Sequence, residues 1–104
     1  MRVQKSNIFL KWLNKLKDKI GKSLINERIS RIEDGNFGDC YPIGDGISEL
    51  RIHFGPGYRV YFMDTGKEIV ILLCGGDKST QQKDIEKAKK IARIYKEKKY
   101  GNNS

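Results

Sequence analysis

Residues 47–62 read "ISELRIHFGPGYRVYF", two alternating runs around a Gly-Pro-Gly corner. In the first run Leu50, Ile52 and Phe54 point one way, and Glu49, Arg51 and His53 the other. In the second, Tyr58, Val60 and Phe62 oppose Arg59, Tyr61 and Met63. This period of two predicts strands over residues 47–54 and 58–64. Opposed residues of an antiparallel hairpin share a face. Pairing Phe54 with Tyr58, Ile52 with Val60 and Leu50 with Phe62 therefore gathers the apolar side chains. Residues 55–57 then form a three-residue corner, where glycine supplies positive φ and proline fixes its own at about −65°. The same pairing sets His53 opposite Arg59 and Arg51 opposite Tyr61. A slip of one residue would mix core and polar faces along both strands. Arg51, His53, Arg59 and Tyr61 are thus expected as a cluster on one sheet face.

Working outward, residues 68–74 contain "IVILLC", apolar throughout, as a strand covered on both faces requires. Residues 1–4 and 40–43 read as short strands. Phe9, Trp12, Leu13, Leu16 and Ile20 recur at helical spacing, followed by a second stripe of Ile20, Leu24, Ile25, Ile29 and Ile32. Gly21 weakens the join, so a break over residues 17–21 predicts a helical hairpin rather than one rod. Gly35 in "EDGN" is the expected left-handed cap. Ser79 with Gln82 fits a capping box opening a last helix, whose buried stripe is Ile85, Ala88, Ala92 and Tyr95, helped by Ile91. Residues 96–104 are expected to fray. The sum is one α+β domain over residues 1–104, a helical hairpin on an antiparallel sheet of three to five strands with a C-terminal helix.

Composition narrows the function. No run approaches ~18 consecutive apolar residues, so no membrane span is expected. The N-terminal stretch is broken by charges and lacks a signal core. Cys40 and Cys74 show no CxxC spacing and His53 is the one histidine, too few ligands for a zinc site; free thiols in a reducing cytoplasm are expected. The net charge of +8 is uneven. Residues 1–34 hold nine basic and four acidic side chains, residues 35–78 four and six, and residues 79–104 eight and three. Basic ends of this kind attract polyanions, nucleic acid first, or are simply solvated lysine-rich faces.

Arginine grips phosphate through a bidentate fork, imidazole moves protons near neutrality, and tyrosine stacks on a base or donates its hydroxyl. Those are the parts of a metal-free ribonuclease, in which the RNA 2′-hydroxyl attacks its own phosphate. The alternative is a solvated sheet face with Glu49 paired to an arginine across the strands. "GGDKS", residues 75–79, would either offer backbone N–H groups to an anion or serve as a plain turn, with Lys78 projecting toward the sheet face. Trp12 and Tyr58 are expected in the core.

The blocks "FLKWLNKLKD", "ERISRIEDGNFGD", "ISELRIHFGPGYRVYF" and "IVILLCGGDKS" with "DIEKAK" occur in the order found in the RelE/ParE toxin superfamily, and most resemble its HigB-like, phage-derived "addiction module killer protein" branch. The resemblance spans roughly residues 5–95. It implies a cytoplasmic toxin of a bacterial type II toxin–antitoxin pair, with a small helix-turn-helix antitoxin as partner and no cofactor. Many relatives cleave messenger RNA on the ribosome without metal. Arg59 in "GYR" stands where they keep an arginine for the scissile phosphate, Lys78 near a second basic position, and Arg51 on a strand that carries bases. His53 joins them by face parity as the candidate general base. Tyr61, Lys83, Lys87 and Lys90 are the expected RNA contacts. Glu49 puts an acid on the strand where those nucleases often carry bases, and residues 79–82 lack the aromatic many place there. The ParE side of the superfamily instead inhibits DNA gyrase by binding, and a toxin-fold domain without activity is the third alternative.

Overall fold

A computed structural model describes residues 1–101. The elements run β1 (Arg2–Lys5), α1 (Asn7–Lys15), α2 (Lys19–Glu33), β2 (Cys40–Gly44), β3 (Ile47–Ile52), β4 (Tyr58–Asp64), β5 (Ile69–Asp77) and α3 (Gln81–Gly101), with a 3-10 turn at Lys78–Thr80 leading into α3. The strands form one sheet in the order β1-β5-β4-β3-β2. The expected α+β arrangement is present, with one parallel pair, β1 on β5, at the edge of an otherwise antiparallel sheet. No helix among the described residues is long and apolar enough to cross a membrane.

Each sheet face carries its own core. On one side Phe9, Leu13, Ile25, Ile29 and Ile32 from α1 and α2 pack against Leu50, Ile52, Tyr58, Val60, Phe62, Val70 and Leu72. On the other, Ala88, Ile91 and Ala92 of α3 cover Ile47, Tyr61, Met63, Ile71, Leu73 and Cys74. This two-sided burial explains why "IVILLC" is apolar throughout.

The helical hairpin breaks where expected. Ser6 caps α1 by accepting from Phe9 N at 3.0 Å, and its hydroxyl donates to Leu73 O at 2.6 Å, fixing the helix to β5. Asp18 caps α2 by accepting from Gly21 N at 2.9 Å. The break resets the helical phase, so Ile20, expected in both stripes, is 63% exposed while Gly21 turns inward beneath the Tyr58 ring. Tyr58 donates to Asp18 at 2.8 Å, which ties the break to the start of β4.

The β3–β4 hairpin keeps the expected faces but not the expected register. Ile52 pairs with Tyr58, Leu50 with Val60, Glu49 with Tyr61 and Arg51 with Arg59. The pairing is displaced by two residues from the one read above, and the corner is residues 53–57 rather than 55–57. Phe54 is consequently exposed in the corner instead of opposite Tyr58, and His53 leaves the ladder instead of opposing Arg59. A displacement of two preserves every face, so alternation rejects the one-residue slip and is silent on this one. Gly55 (φ 55) and Gly57 (φ 78) take the positive φ expected of them.

The last strand runs past Cys74 to Asp77, pairing Gly75 with Val60, Gly76 with Arg59 and Asp77 with Tyr58. The two glycines are strand residues, not an anion-binding loop. Asp77, not Ser79, supplies the capping box, with Thr80 as its partner, and Ser79 donates to Asp77 from inside the 3-10 turn. The helix α3 continues beyond Lys96 to Gly101 where fraying was expected; residues 102–104 lie outside the described residues.

Gly75 is the close approach between helix and sheet: a Cβ there would run into the Trp12 indole. Gly75→Ala is expected to destabilise the protein by about 1–3 kcal/mol through overpacking. Urea unfolding of the variant measures this, and an unchanged midpoint would mean Trp12 does not rest on β5.

Candidate functional site

Arg51 and Arg59 stand directly opposite each other on the sheet face that α3 partly covers. The apolar residues of that face sit under α3, and the face turns polar where the first residue of the helix, Gln81, reaches down to Glu49.

Glu49 is the centre of the polar region. It is fully buried, and its carboxylate accepts from four groups: Arg51 Nε at 2.6 Å and Arg59 Nη1 at 3.1 Å on Oε1, then Tyr61 Oη at 3.0 Å and Gln81 Nε2 at 2.9 Å on Oε2. Burial pushes its pKa up, but the donors from Arg51, Gln81 and Tyr61 and the charge of Arg59 outweigh this and hold it below the ordinary carboxylate value. The carboxylate lets two guanidinium groups sit side by side without net repulsion. Of the readings made from sequence, the ion pair between Glu49 and an arginine across the strands is present, and so is the clustering of Arg51, Arg59 and Tyr61.

The two arginines differ in access. Arg59 is 9% exposed, and its Nε is buried without a partner among the described residues. The Arg51 side chain is 34% exposed, and its guanidinium lies 4.2 Å above the centroid of the Tyr41 ring. Tyr61, expected to contact RNA, is wholly buried; its ring is not available for stacking, and burial followed by the nearby Glu49 raises its hydroxyl pKa far above the ordinary value.

His53 is exposed at the rim, with Nε2 at 2.5 Å from Asp39 Oδ2. Hydrogen bonds from Tyr41 and then His53 lower the Asp39 pKa, and the bond to Asp39 raises that of the Tyr41 hydroxyl. Arg28 of α2 braces this corner by donating to Arg51 O at 2.8 Å, and to Phe37 O and Asp39 O at 3.4 and 3.3 Å. Lys78 sits beside the Gly-Pro-Gly corner, its backbone N–H donating to Pro56 O at 3.4 Å. Lys83, Lys87 and Lys90 are exposed on α3, spaced four and three residues apart and so on one stripe.

Asp39, Tyr41 and Gln81 escaped the sequence reading. The first two lie in a stretch read as turns with a short strand. The available signal was its own alternation, Asp39 and Tyr41 against Cys40, which turns into the core. Gln81 carries no signal in the sequence beyond that of a helix-start residue. Both cysteines are free, and burial pushes the Cys74 thiol up to about 12. Among the described residues no group of three or more His, Cys, Asp or Glu is placed to hold a metal ion.

Comparison with known proteins bears on this geometry. The family model of phage-derived, Gp49-like proteins (DUF891) matches residues 11–96. A Haemophilus influenzae protein described only as uncharacterized is 52% identical over 92 residues, covering 88% of this chain and 93% of its own. Among solved structures, a mutant of the E. coli toxin RelE in the free state superposes with a TM-score of 0.63 at 17% identity, over 86% of this chain and 96% of that one. The intact E. coli RelBE toxin–antitoxin complex contains a chain that matches with a TM-score of 0.57 at 17% identity, over 73% of this chain and 94% of that one. The family match runs from within α1 to within α3 and includes the Arg51–Arg59 pair: the chain belongs to the Gp49-like family of phage-derived proteins and has the RelE-like toxin fold.

Proposed function

We propose that the chain is the toxin of a toxin–antitoxin pair and acts as a ribosome-dependent messenger RNA endonuclease. The observation that carries this reading is the cross-strand pair Arg51–Arg59 at the polar end of one face of a RelE-like fold, with the His53–Asp39 pair at its rim. Arg51 grips the scissile phosphate, and Arg59 adds positive potential from behind. Asp39 accepts from His53 Nε2–H, which fixes the tautomer and leaves Nδ1 as the free proton acceptor. The 2′-hydroxyl loses its proton to Nδ1 as its oxygen bonds to phosphorus. The bond to the 5′-oxygen breaks, that oxygen takes a proton assisted by Lys78, and a cyclic phosphate and a 5′-hydroxyl end result. Lys83, Lys87 and Lys90 dock on RNA phosphates, a contact that weakens with salt. The partner is a cognate antitoxin, as in the E. coli RelBE complex, and the place of action is the cytoplasm.

Glu49 favours a second reading, because it already occupies both guanidinium groups. On that reading the fold acts by binding alone, on DNA gyrase or through its antitoxin. Mapping message 5′ ends after induction in a bacterial host separates the two. Discrete cuts within translated messages, lost in His53→Ala and reduced in Asp39→Asn at equal protein level, are expected. Growth arrest with intact message and broken DNA would overturn the nuclease reading.

A further inference from the structure

We propose that Tyr41 and Arg51 form a nucleotide subsite on the β2 edge of the sheet: the Tyr41 ring stacks on a base of single-stranded RNA while Arg51 takes an adjoining phosphate. The proposal rests on the RNA reading above and adds the residue that receives the base.

Tyr41 is 42% exposed and belongs to β2, the last strand in the sheet order, so no strand among the described residues lies beyond it. Its neighbour Cys40 turns into the core, which leaves Tyr41 on the same face as its cross-strand partner Glu49. An exposed aromatic has no core to fill, yet this one is held in place: one π face carries the Arg51 guanidinium at 4.2 Å. A ring already fixed loses little conformational freedom on binding. An aromatic ring has a second π face, and stacking is how proteins hold an unpaired base.

Arg51 is similarly committed on one side only. Its Nε is bound to Glu49, and its terminal nitrogens have no protein acceptor among the described residues. That outer pair matches the two oxygens of a phosphate. Base and phosphate thus find adjoining partners on residues that already touch each other. Since every base has a π face, the subsite tolerates sequence, and its affinity comes from the ring rather than from base edges.

The test uses the purified full chain in NMR titrations with adenosine monophosphate, ribose phosphate and inorganic phosphate. Adenosine monophosphate is expected to bind about 5- to 150-fold more tightly than ribose phosphate, the range that stacking on one aromatic supplies, and to move the Tyr41 ring resonances. Tyr41→Ala should bring the nucleotide down to the affinity of ribose phosphate and leave ribose phosphate unchanged. Tyr41→Phe and Tyr41→Trp should keep most of the preference. Equal affinity of the wild type for the two ligands, or an alanine variant that binds like the wild type, would overturn the subsite. Message cleavage is scored separately. Cleavage by a chain that binds adenosine monophosphate no more tightly than ribose phosphate removes only the subsite, whereas tighter binding of the nucleotide without cleavage keeps the subsite and removes the nuclease.

Discussion

Glu49→Ala is expected to destabilise the fold by about 3–5 kcal/mol, because removing one partner of a buried ion cluster leaves the others uncompensated. Arg59 is the group left behind: it is almost wholly buried, its Nη1 bonds Glu49, and its Nε already lacks a partner among the described residues. Tyr61 and Gln81 lose their acceptor in the same step. Glu49→Gln keeps an acceptor but places an amide donor among donors, so an intermediate loss is expected. The pH dependence follows from the sign of the shift. The Glu49 pKa is lowered in the folded state, so its contribution is full above the ordinary value of 4.5 and is lost as pH falls through the lower native value. The stability difference between wild type and Glu49→Gln, from urea melts, should therefore shrink on acidification below that range. A difference that stays constant from neutral pH into strong acid would remove the charge of Glu49 from the account.

Arg51→Ala is expected to lower message cleavage by about 100-fold or more, the usual effect of removing one donor to a developing oxyanion. The fold should survive, because the side chain is one-third exposed and Glu49 keeps three other donors. Arg51→Lys should not restore the rate. An ammonium ion has no planar fork to share between Glu49, the Tyr41 ring and a phosphate. Arg59→Ala offers the contrast: it strips the buried carboxylate of a cation, so its loss of activity should come with a lowered melting temperature. Initial cleavage rates paired with thermal melts distinguish the two. Equal loss of stability in both variants would mean that Arg51 serves only to neutralise Glu49.

The faces of the sheet were legible because a period of two is a strong constraint when both sides are buried. Leu50, Ile52, Tyr58, Val60 and Phe62 lie on one side and Ile47, Tyr61 and Met63 on the other, as parity assigns, and parity likewise puts Arg51 and Arg59 on one face; the register makes them direct partners. Register was not legible, since Phe54 and His53 continue the alternation in sequence but not in space. Their backbone has already entered the corner, where Phe54 N–H bonds Ile52 O at 2.9 Å and Gly57 N–H bonds Phe54 O at 3.1 Å. "GG" at residues 75–76 reads as a turn by composition. In the sheet it is a strand whose missing side chains admit Trp12 on one face and Asp84 on the other. Ile20 misled for a related reason: its spacing fits a continuous helix, and the Asp18 cap restarts the count. Asp39 and Tyr41 joined the site through pairing between β2 and β3, a non-local contact that local pattern does not specify.

On the proposed function, the guanidinium pair organised by Glu49 serves phosphate chemistry on translated RNA. Purified chain added to ribosomes programmed with a defined message, in the presence of a chelator that leaves the ribosomes intact, tests it most directly. The expected result is a small set of cuts in the ribosome-bound message, each leaving a cyclic phosphate, and none with Arg51→Ala. An intact message with the wild-type chain, under conditions where the same chain stops DNA supercoiling by gyrase, would contradict it.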